Sequence, residues 1–382
     1  MNTYLDSEVI VIGGGLAGLV CAIHLSNCGV AVLVIEKNAY PQHKVCGEYV
    51  SNEVLPYLKY LGVDPFQLGA KKIGRLKLSS QKNKTIETPL PLGGFGISRY
   101  TFDHALEQKA KNNGVMIIRD AVVDIEFSDG AFCVSTNEKI DYCAKIVIGA
   151  FGKRSALDVK LKRDFIKKEA PFLAVKTHVK GDFPDDLVAL HNFRGGYCGA
   201  SKVENDHINL CYITDFKSFK KFKNIRDFQE NVLFQNRHLK AIFENSEPVF
   251  PKPLCISQIS FSSKDPVERH ILMCGDTAGM IHPLCGNGMS MAIRGAQMAS
   301  QLIIDYFNGR LKLRAELEKL YSIAWKNEFA KRLRTGRVVA SLFRLNPFSE
   351  FIMTGLKLFP GLLPEIIKLT HGKPLLANEF SN

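Results

Sequence analysis

The chain has 382 residues, of which 46% are hydrophobic and 23% charged, a composition typical of globular proteins and not of disordered or fibrous ones. Its formal net charge is +12, but it has no zinc-finger or RNP-type motif, so we do not expect it to bind nucleic acid. There is no apolar run of membrane-spanning length and no CxxC pair among ten cysteines. Residues 1–8 carry acids and no basic n-region, so we expect no secretory signal. We therefore expect a cytoplasmic protein with reduced cysteines and no metal site.

The N-terminal segment has the order of a βαβ unit. Residues 8–12 are an apolar, β-branched run, as a strand buried on both faces requires. The glycine-rich turn 13–18 follows, then a helical pattern over 19–27 and a second apolar strand over 30–35, which ends at Glu36. This order predicts a Rossmann-like fold.

Each glycine of the GxGxxG turn has a predicted role. Gly13 permits the tight turn, Gly15 lets a pyrophosphate approach the backbone, and Gly18 lets the helix and the strand pack closely. The helix N-terminus offers free N–H groups and a positive dipole end to phosphates. Glu36 stands at the strand end, where an acid accepts hydrogen bonds from a ribose. The segment therefore predicts dinucleotide binding.

The middle of the chain changes to a strand-rich pattern. Strand-like stretches at 172–179, 187–193 and 207–214 are separated by turn residues, and residues 71–97 predict further strands. A basic, helical insert runs from 215 to 245. We expect an antiparallel sheet that forms the floor of a substrate pocket.

A second glycine-rich turn lies in the C-terminal half. The strand-like segment 269–276 ends at Asp276, and the turn 277–290 leads into a helical pattern over 291–307. A carboxylate at a strand end suits a polyol hydroxyl, and free N–H groups of the turn suit an electron-rich ring edge. A flavin offers both partners in its ribityl chain and its N1/O2 edge, so FAD is the predicted dinucleotide.

The C-terminal region, residues 311–382, is predicted to be largely helical. The segments 336–351 and 355–369 are apolar and basic, and we expect them to be broken at Pro347, Pro360 and Pro364. One interpretation is a helical cap packed over the active site. The alternative is peripheral contact with a membrane or a surface for a carrier-bound substrate.

Five segments occur in the order seen in one flavoprotein superfamily. They are 13–19 (GGGLAGL), 44–48 (KVCGE), 98–103 (SRYTFD), 148–155 (IGAFGKRS) and 275–288 (GDTAG, then a proline and GNG). With these motifs the chain resembles the p-hydroxybenzoate hydroxylase-like flavoproteins. Within them it is most similar to the geranylgeranyl reductase branch, because of its Cys-Gly-Glu segment and the form of the last motif.

The resemblance implies contacts with the phosphate, ribose and ribityl parts of FAD. Ala17 and Glu36 would meet the ADP half of the cofactor. Val123 would supply a backbone contact to adenine. Arg99 would contact the phosphate or ribityl region, and Asp276 would hold the ribityl hydroxyls.

The resemblance also implies contacts with the flavin ring. Cys46, Gly47 and Tyr49 match the segment that passes near the ribityl chain and the ring. Gly288 and Met289 would lie at the flavin edge. The complete predicted FAD-binding set is Gly13, Gly15, Ala17, Gly18, Glu36, Lys37, Cys46, Gly47, Tyr49, Arg99, Val123, Asp276, Gly286, Gly288 and Met289.

Three departures from the superfamily pattern bear on the reaction. Phe151 stands where hydroxylases and reductases usually have an Asp, which counts against NADPH handling by the hydroxylase route. Tyr197 keeps the Tyr of the reductases' lipid-pocket motif, but the Trp, Phe and Pro of that motif are absent. The flavin halogenases use a Trp-x-Trp-x-Ile-Pro motif, whereas the only tryptophan of this chain, Trp325, lies far down a predicted C-terminal helix, which disfavours halogenation.

Three residues are candidates for catalysis. The Cys46 thiol could donate a proton to a carbanion after hydride transfer to a double bond, or it could be a small buried thiol that serves packing. His282 lies in the predicted flavin-edge loop, where it could move a proton or stabilise the loop. Tyr197 follows two glycines and could present its hydroxyl to the pocket.

The predicted fold is α/β, with a Rossmann-like FAD-binding domain, an antiparallel-sheet substrate domain and a helical C-terminal region. The FAD-binding domain is expected to be discontinuous, because the substrate domain interrupts it. The expected FAD-binding segments are 1–70, 98–165 and 266–310. The expected substrate-domain segments are 71–97 and 166–265.

The sequence leaves three functions open. A geranylgeranyl reductase-like enzyme would saturate an apolar, isoprenoid or polyketide-like substrate, with electrons from NAD(P)H or a ferredoxin. A flavin-dependent monooxygenase would hydroxylate or epoxidise an aromatic or polyketide substrate. A non-catalytic flavoprotein would only transfer electrons. The reductase is the favoured hypothesis, and its substrate is expected to be a small apolar or carrier-bound molecule.

Overall fold

The protein, seen in a computed structural model that describes residues 6–344 and 346–375, is built on two β-sheets with helices. The strands are β1 Ser7–Ile12, β2 Val32–Ile35, β3 Tyr49–Ser51, β4 Lys71–Ser79, β5 Thr85–Gly96, β6 Met116–Ile118, β7 Val122–Ser128, β8 Ala131–Thr136, β9 Asp141–Gly149, β10 Phe172–Lys180, β11 Leu187–Phe193, β12 Gly196–Lys202, β13 Ile208–Asp215, β14 Glu247–Pro248, β15 Leu254–Ile259, β16 Val267–Glu268 and β17 Ile271–Met273.

The α-helices lie between groups of these strands, and the last four of the described part follow β17. They are α1 Leu16–Asn27, α2 Leu55–Tyr60, α3 Arg99–Asn112, α4 Ala156–Lys160, α5 Phe216–Phe219, α6 Ile225–Asn231, α7 Arg237–Glu244, α8 Gly288–Phe307, α9 Arg314–Arg344, α10 Asn346–Leu358 and α11 Leu362–Thr370. The predicted helical insert over 215–245 is thus three short helices, α5 to α7.

The first sheet holds the predicted Rossmann-like core. Its strand order is β16-β17-β9-β1-β2-β6, and β1 pairs in parallel with both β2 and β9. Val9, Ile10 and Val11 of β1 are fully buried, since α1 packs against β1 and β2 and parallel strands are covered on both faces. The carboxyl ends of β1, β2, β9 and β17 therefore meet at one edge, where an α/β sheet binds its ligand.

The second sheet has the order β14-β10-β13-β12-β11-β4-β5-β3. Its pairs are antiparallel, as predicted, except that β4 and β11 run parallel. The short strand β3 comes from within residues 1–70 and pairs with β5 of this sheet, so the chain crosses between the sheets at the Cys-Gly-Glu segment. The numerical domain limits stay a prediction.

The C-terminal region is helical, as predicted, and Gly336 lies inside one of its helices. Helix α9 runs through this glycine. A Cβ at Gly336 would lie 3.1 Å from the Cys285 sulfur, so this glycine serves close packing and not a helix end. Pro347 and Pro364 lie in the first turns of α10 and α11, where a proline costs no hydrogen bond. Residues 1–5 and 376–382 of the predicted regions lie outside the described residues.

Within the described ranges 6–344 and 346–375, no helix is both long and apolar enough to cross a membrane.

Acid is expected to destabilise the fold through His24. This side chain is fully buried in α1 and its Nδ1 lies 2.8 Å from the Tyr57 hydroxyl. Burial lowers the pKa of His24 to about 4, so the unfolded chain binds the proton more readily. Stability is then unaffected above pH about 6.5 and falls by about 3 kcal/mol as pH drops towards 4.

Urea unfolding at pH 7 and pH 4.5 will measure this loss. The His24→Gln protein should lose less stability than the parent between the two pH values. An equal loss in both proteins would show that His24 is not responsible.

Candidate active site

The GxGxxG turn connects β1 to α1 and forms a phosphate cradle. Gly13 has φ +102°, and a Cβ there would lie 2.4 Å from the Ala150 carbonyl oxygen. A Cβ at Gly18 would lie 2.0 Å from the Gly13 carbonyl oxygen, so helix and strand touch at this point. Gly15 caps α1 without a side-chain hydrogen bond. The first N–H groups of the helix thus remain available to an anion.

Two cations stand beside this cradle. The position of a Cβ at Gly15 is 3.5 Å from an Arg99 guanidinium nitrogen and 3.8 Å from Lys44 Nζ. Asp103 holds both cations, accepting from Arg99 Nε at 2.6 Å and from Lys44 Nζ at 2.9 Å. Burial alone would raise the pKa of Asp103, but Arg99 and Lys44 hold it below its ordinary value. Arg99, Lys44 and Asp103 together carry one net positive charge, which suits a pyrophosphate.

Glu36 stands where the sequence placed it, directly after β2. Its carboxylate accepts from the Gly14 N–H at 2.7 Å and from the Asn38 N–H at 3.0 Å. Carboxylate oxygens have further lone pairs for ribose hydroxyls. Lys37 next to it is exposed. Val123 lies on β7, and its carbonyl oxygen accepts from Lys160 Nζ at 3.1 Å. The predicted contact of Val123 with adenine stays a prediction.

The Cys-Gly-Glu loop lies between the two sheets. The Cys46 sulfur is 3.4 Å from the Met289 sulfur and 3.5 Å from the Glu48 N–H. Asn209 of β13 donates to the carbonyls of Cys46 at 3.2 Å and Gly47 at 2.8 Å. Two segments that the sequence assigned to the flavin, one near each end of the chain, are therefore in contact.

A buried group of charged side chains, which the sequence did not predict, fixes this loop. Glu48 is fully buried at φ +54°. Its carboxylate pairs with the equally buried Lys176, lies 2.7 Å from His178 Nε2 and accepts from the Arg99 N–H at 2.7 Å. Burial alone would raise the pKa of Glu48, but Lys176 and His178 hold it below its usual range. The loop is thus tied to β10 and to the start of α3.

The same cluster includes His43, and three of its groups could serve as metal ligands. A ring nitrogen of His43, a Glu48 oxygen and a His178 nitrogen lie within 4.8 Å of one another, a ligand set found at zinc sites. Lys176 already neutralises Glu48, however, and a dication would meet this buried ammonium group. We therefore treat the cluster as a charge-paired support of the loop.

The C-terminal glycine-rich turn completes the polar end of the site. Asp276 follows β17 in a 3-10 turn, and Gly286 has φ +64° just before α8. Gly288 begins α8, and the N-cap residue Asn287 donates its side-chain N–H to Glu53 and does not cap the first N–H groups of the helix. Lys264 Nζ donates to the Asp276 carbonyl at 2.8 Å and fixes the turn. The turn therefore presents a carboxylate and free N–H groups, the two features expected for a flavin.

The other predicted catalytic residues lie on one flank of this turn. Tyr197 lines the cavity from β12, and burial raises the pKa of its hydroxyl well above the usual value. The His282 ring packs 4.5 Å from the Phe261 ring and 6.0 Å from that of Tyr197. Catalytic roles for Cys46, Tyr197 and His282 stay predictions.

One cavity of about 490 Å³ joins the polar end to an apolar chamber. The polar end is lined by members of the predicted FAD set: Gly15, Ala17, Cys46, Gly47, Tyr49, Arg99, Asp276, Gly286, Gly288 and Met289. Sheet residues of the chamber are Leu76, Leu78, Leu90, Val188, Leu190 and Ile213. The C-terminal helices supply Val339, Leu342, Ile352, Leu356, Leu363 and Ile367.

Comparisons with known proteins agree with this geometry. Conditioned medium factor receptor 1 of Dictyostelium discoideum is 25% identical, over 84% of this chain and 68% of that protein. Digeranylgeranylglycerophospholipid reductase 1 of Methanothermobacter thermautotrophicus is 24% identical, over 78% of this chain and 77% of its own. The solved structure of a flavin-dependent brominase shares the fold, with a TM-score of 0.76, 19% identity and coverage of 98% and 96% of the two chains.

The sequence pattern of one family covers most of the chain. The FAD binding domain family matches residues 6–317, a range that contains both glycine-rich turns and the Cys-Gly-Glu loop. The phosphate cradle and the turn after β17 fit FAD in shape and charge. The chain belongs to this family and is an FAD-dependent oxidoreductase.

Proposed function

We propose that the protein is a geranylgeranyl reductase-like enzyme that saturates carbon–carbon double bonds in an isoprenoid chain. The single observation that carries this proposal is the continuity of the cavity. Its polar end holds the predicted flavin-edge residues Gly288 and Met289, and its other end is an apolar chamber. A substrate whose body is hydrocarbon can lie in the chamber and bring a double bond to the cofactor.

The chamber selects for an apolar chain through its lining. Its walls are leucine, isoleucine and valine side chains from β4, β11 and the C-terminal helices. Burial of hydrocarbon there contributes about 0.8 kcal/mol for each methylene group, so a prenyl chain would bind more tightly than a small aromatic ring. The relative from Methanothermobacter, a reductase of a digeranylgeranyl lipid by name, supports the same substrate class.

The residues of the chain would orient the substrate and deliver a proton. Reduced FAD, when bound, supplies a hydride to one carbon of the double bond. The other carbon takes a proton, and the Cys46 Sγ–H, next to Met289 and the Glu48 N–H, is the group we propose as its donor. Solvent restores this proton, and a reduced nicotinamide or a ferredoxin restores the electrons.

The test is anaerobic reoxidation of the reduced protein. The purified holoprotein is photoreduced and mixed without oxygen with a digeranylgeranyl phospholipid. Return of the oxidised flavin spectrum, with a lipid that has gained two hydrogens for each bond, supports the reductase. Oxygen-dependent insertion of an oxygen atom into an aromatic substrate, without reaction with the lipid, would instead establish the monooxygenase.

Replacement of Cys46 is expected to slow this reaction. The Cys46→Ala protein should reoxidise about a hundredfold more slowly at saturating lipid, because a positioned proton donor contributes about 10²–10⁴-fold. Because Cys46 is also a predicted FAD contact, the rate is compared for protein saturated with FAD. Stopped-flow absorbance of the flavin measures the rate.

Cys211→Ala is the matched control, since Cys211 also lines the cavity but lies on β13. We expect its rate to stay close to that of the parent. Equal losses in the two variants would mean that Cys46 serves packing and does not donate the proton.

A further inference from the structure

The C-terminal helices carry large apolar side chains on their outer surface. Phe351 is 77% exposed, Leu358 70%, Phe359 64% and Leu362 51%; we call these four residues the outer patch. Phe351 and Leu358 are seven residues apart on α10 and so share one face of that helix. Leu358, Phe359 and Leu362 follow along the connection to α11. Monomeric proteins rarely leave such a cluster in water.

The inner faces of the same two helices line the substrate chamber. Ile352 and Leu356 of α10 and Leu363 and Ile367 of α11 line the cavity. The outer patch and the chamber are thus separated by one layer of helix. A surface that contacts the outer patch would therefore lie next to α10 and α11, the helices that form one wall of the chamber.

Basic side chains accompany the patch. Lys357 and Lys368 flank it and are exposed, and Arg334 and Arg337 are exposed on α9. Glu365, which pairs with Lys368 at 2.7 Å, is the exposed acid of α11. Together with the formal charge of +12, this distribution is complementary to an anionic surface. An apolar strip flanked by lysine and arginine is the pattern of helices that lie in a membrane interface.

We propose that the outer patch docks the protein on an anionic lipid bilayer and that the substrate enters the chamber from this bilayer. Phe351, Leu358, Phe359 and Leu362 would lie among the lipid acyl chains near the headgroups. Lys357 and Lys368, which flank these residues in the sequence, would contact the lipid phosphates. The docking step rests on the outer surface alone, whereas the entry step rests on the proposed function.

Vesicle cosedimentation of the holoprotein tests the docking. Phosphatidylcholine vesicles with and without phosphatidylglycerol are compared at low and high salt. We expect binding to vesicles that contain phosphatidylglycerol and weaker binding at high salt. The Leu358→Asp/Phe359→Asp protein should bind at least about tenfold more weakly. Two apolar side chains that would enter the bilayer are replaced by carboxylates, which the anionic surface repels.

Leu313→Asp is the control for this variant. Leu313 is 66% exposed and lies before α9, outside the patch, so its replacement should leave vesicle binding unchanged. FAD content and thermal unfolding should be the same in all three proteins. Failure of the parent to bind either kind of vesicle would overturn the docking proposal. A parent dimer that the double variant converts to a monomer, without vesicle binding, would assign the patch to a second copy of the chain.

Docking and the reductase function can fail separately. A double variant that no longer binds vesicles, but reduces a prenyl alcohol supplied in detergent micelles, supports both proposals. A parent that binds vesicles but reduces no prenyl lipid would leave the docking standing and overturn the proposed function, and with it the entry step.

Discussion

The Lys176→Met protein is expected to lose about 3–5 kcal/mol of unfolding free energy, the cost of leaving one member of a buried ion pair alone. Lys176 and Glu48 are both fully buried, and the ammonium group also lies 3.2 Å from the Lys44 carbonyl oxygen. Without Lys176, the partners that the described residues offer the Glu48 carboxylate are His178 and the Arg99 N–H. Urea unfolding monitored by far-UV circular dichroism measures the loss.

A second substitution separates the lost charge pair from lost packing. The Lys176→Met/Glu48→Gln protein removes both charges, so it should recover most of the stability that the single variant loses. Lys160→Met is the surface control, because Lys160 pairs with Asp124 at 2.7 Å but is 51% exposed. We expect it to cost at most about 1 kcal/mol. A double variant no more stable than Lys176→Met would show that packing of the lysine stem, and not its charge, is responsible.

The buried charges explain how a short loop can be held at the centre of the molecule. The loop 46–48 crosses between the sheets and has little secondary structure of its own. Glu48 connects it to β10 through Lys176 and to α3 through the Arg99 N–H. Since Asp103 places the Arg99 side chain at the phosphate cradle, the same helix positions both ends of the predicted cofactor site.

The parts of the site that the sequence predicted are those formed by local patterns. The β1-turn-α1 unit and the turn after β17 follow from apolar periodicity and glycine spacing within about thirty residues. Strands such as β11, Leu187–Phe193, were predicted at their observed bounds. The proximity of Cys46 to Met289 followed only from the family resemblance, because these residues are 243 positions apart.

The parts that the sequence did not predict depend on tertiary contacts. Glu48 and Lys176 are 128 residues apart. The local signal was a lysine and a histidine at alternate positions, 176 and 178, of a strand that begins with four apolar residues. The need for a glycine at position 336 likewise comes from another segment, because the Cys285 sulfur would lie 3.1 Å from a Cβ there. Such contacts leave no periodic trace in the chain.

FAD binding is expected to weaken about tenfold to a hundredfold in the Gly18→Ala protein, because one added methyl group would separate α1 from β1. The new Cβ would lie 2.0 Å from the Gly13 carbonyl oxygen and 3.0 Å from a Val11 methyl group, both held by the buried core. Overpacking of this kind costs about 1–3 kcal/mol, and 1.4 kcal/mol corresponds to tenfold in affinity. The strain falls on the first turn of α1, whose N–H groups form the phosphate cradle.

Titration of the apoprotein with FAD, followed by quenching of flavin fluorescence, measures this effect. Gly74→Ala is the matched control, since Gly74 lies on β4 and a Cβ there would meet no atom within 4 Å. It carries the same added methyl group and should bind FAD as the parent does. If Gly18→Ala also bound FAD with the parent's affinity while remaining folded, the first turn of α1 would not be the pyrophosphate site. The assignment of the cavity's polar end to FAD would then have to be given up, because Gly15 and Ala17 join that turn to the cavity wall.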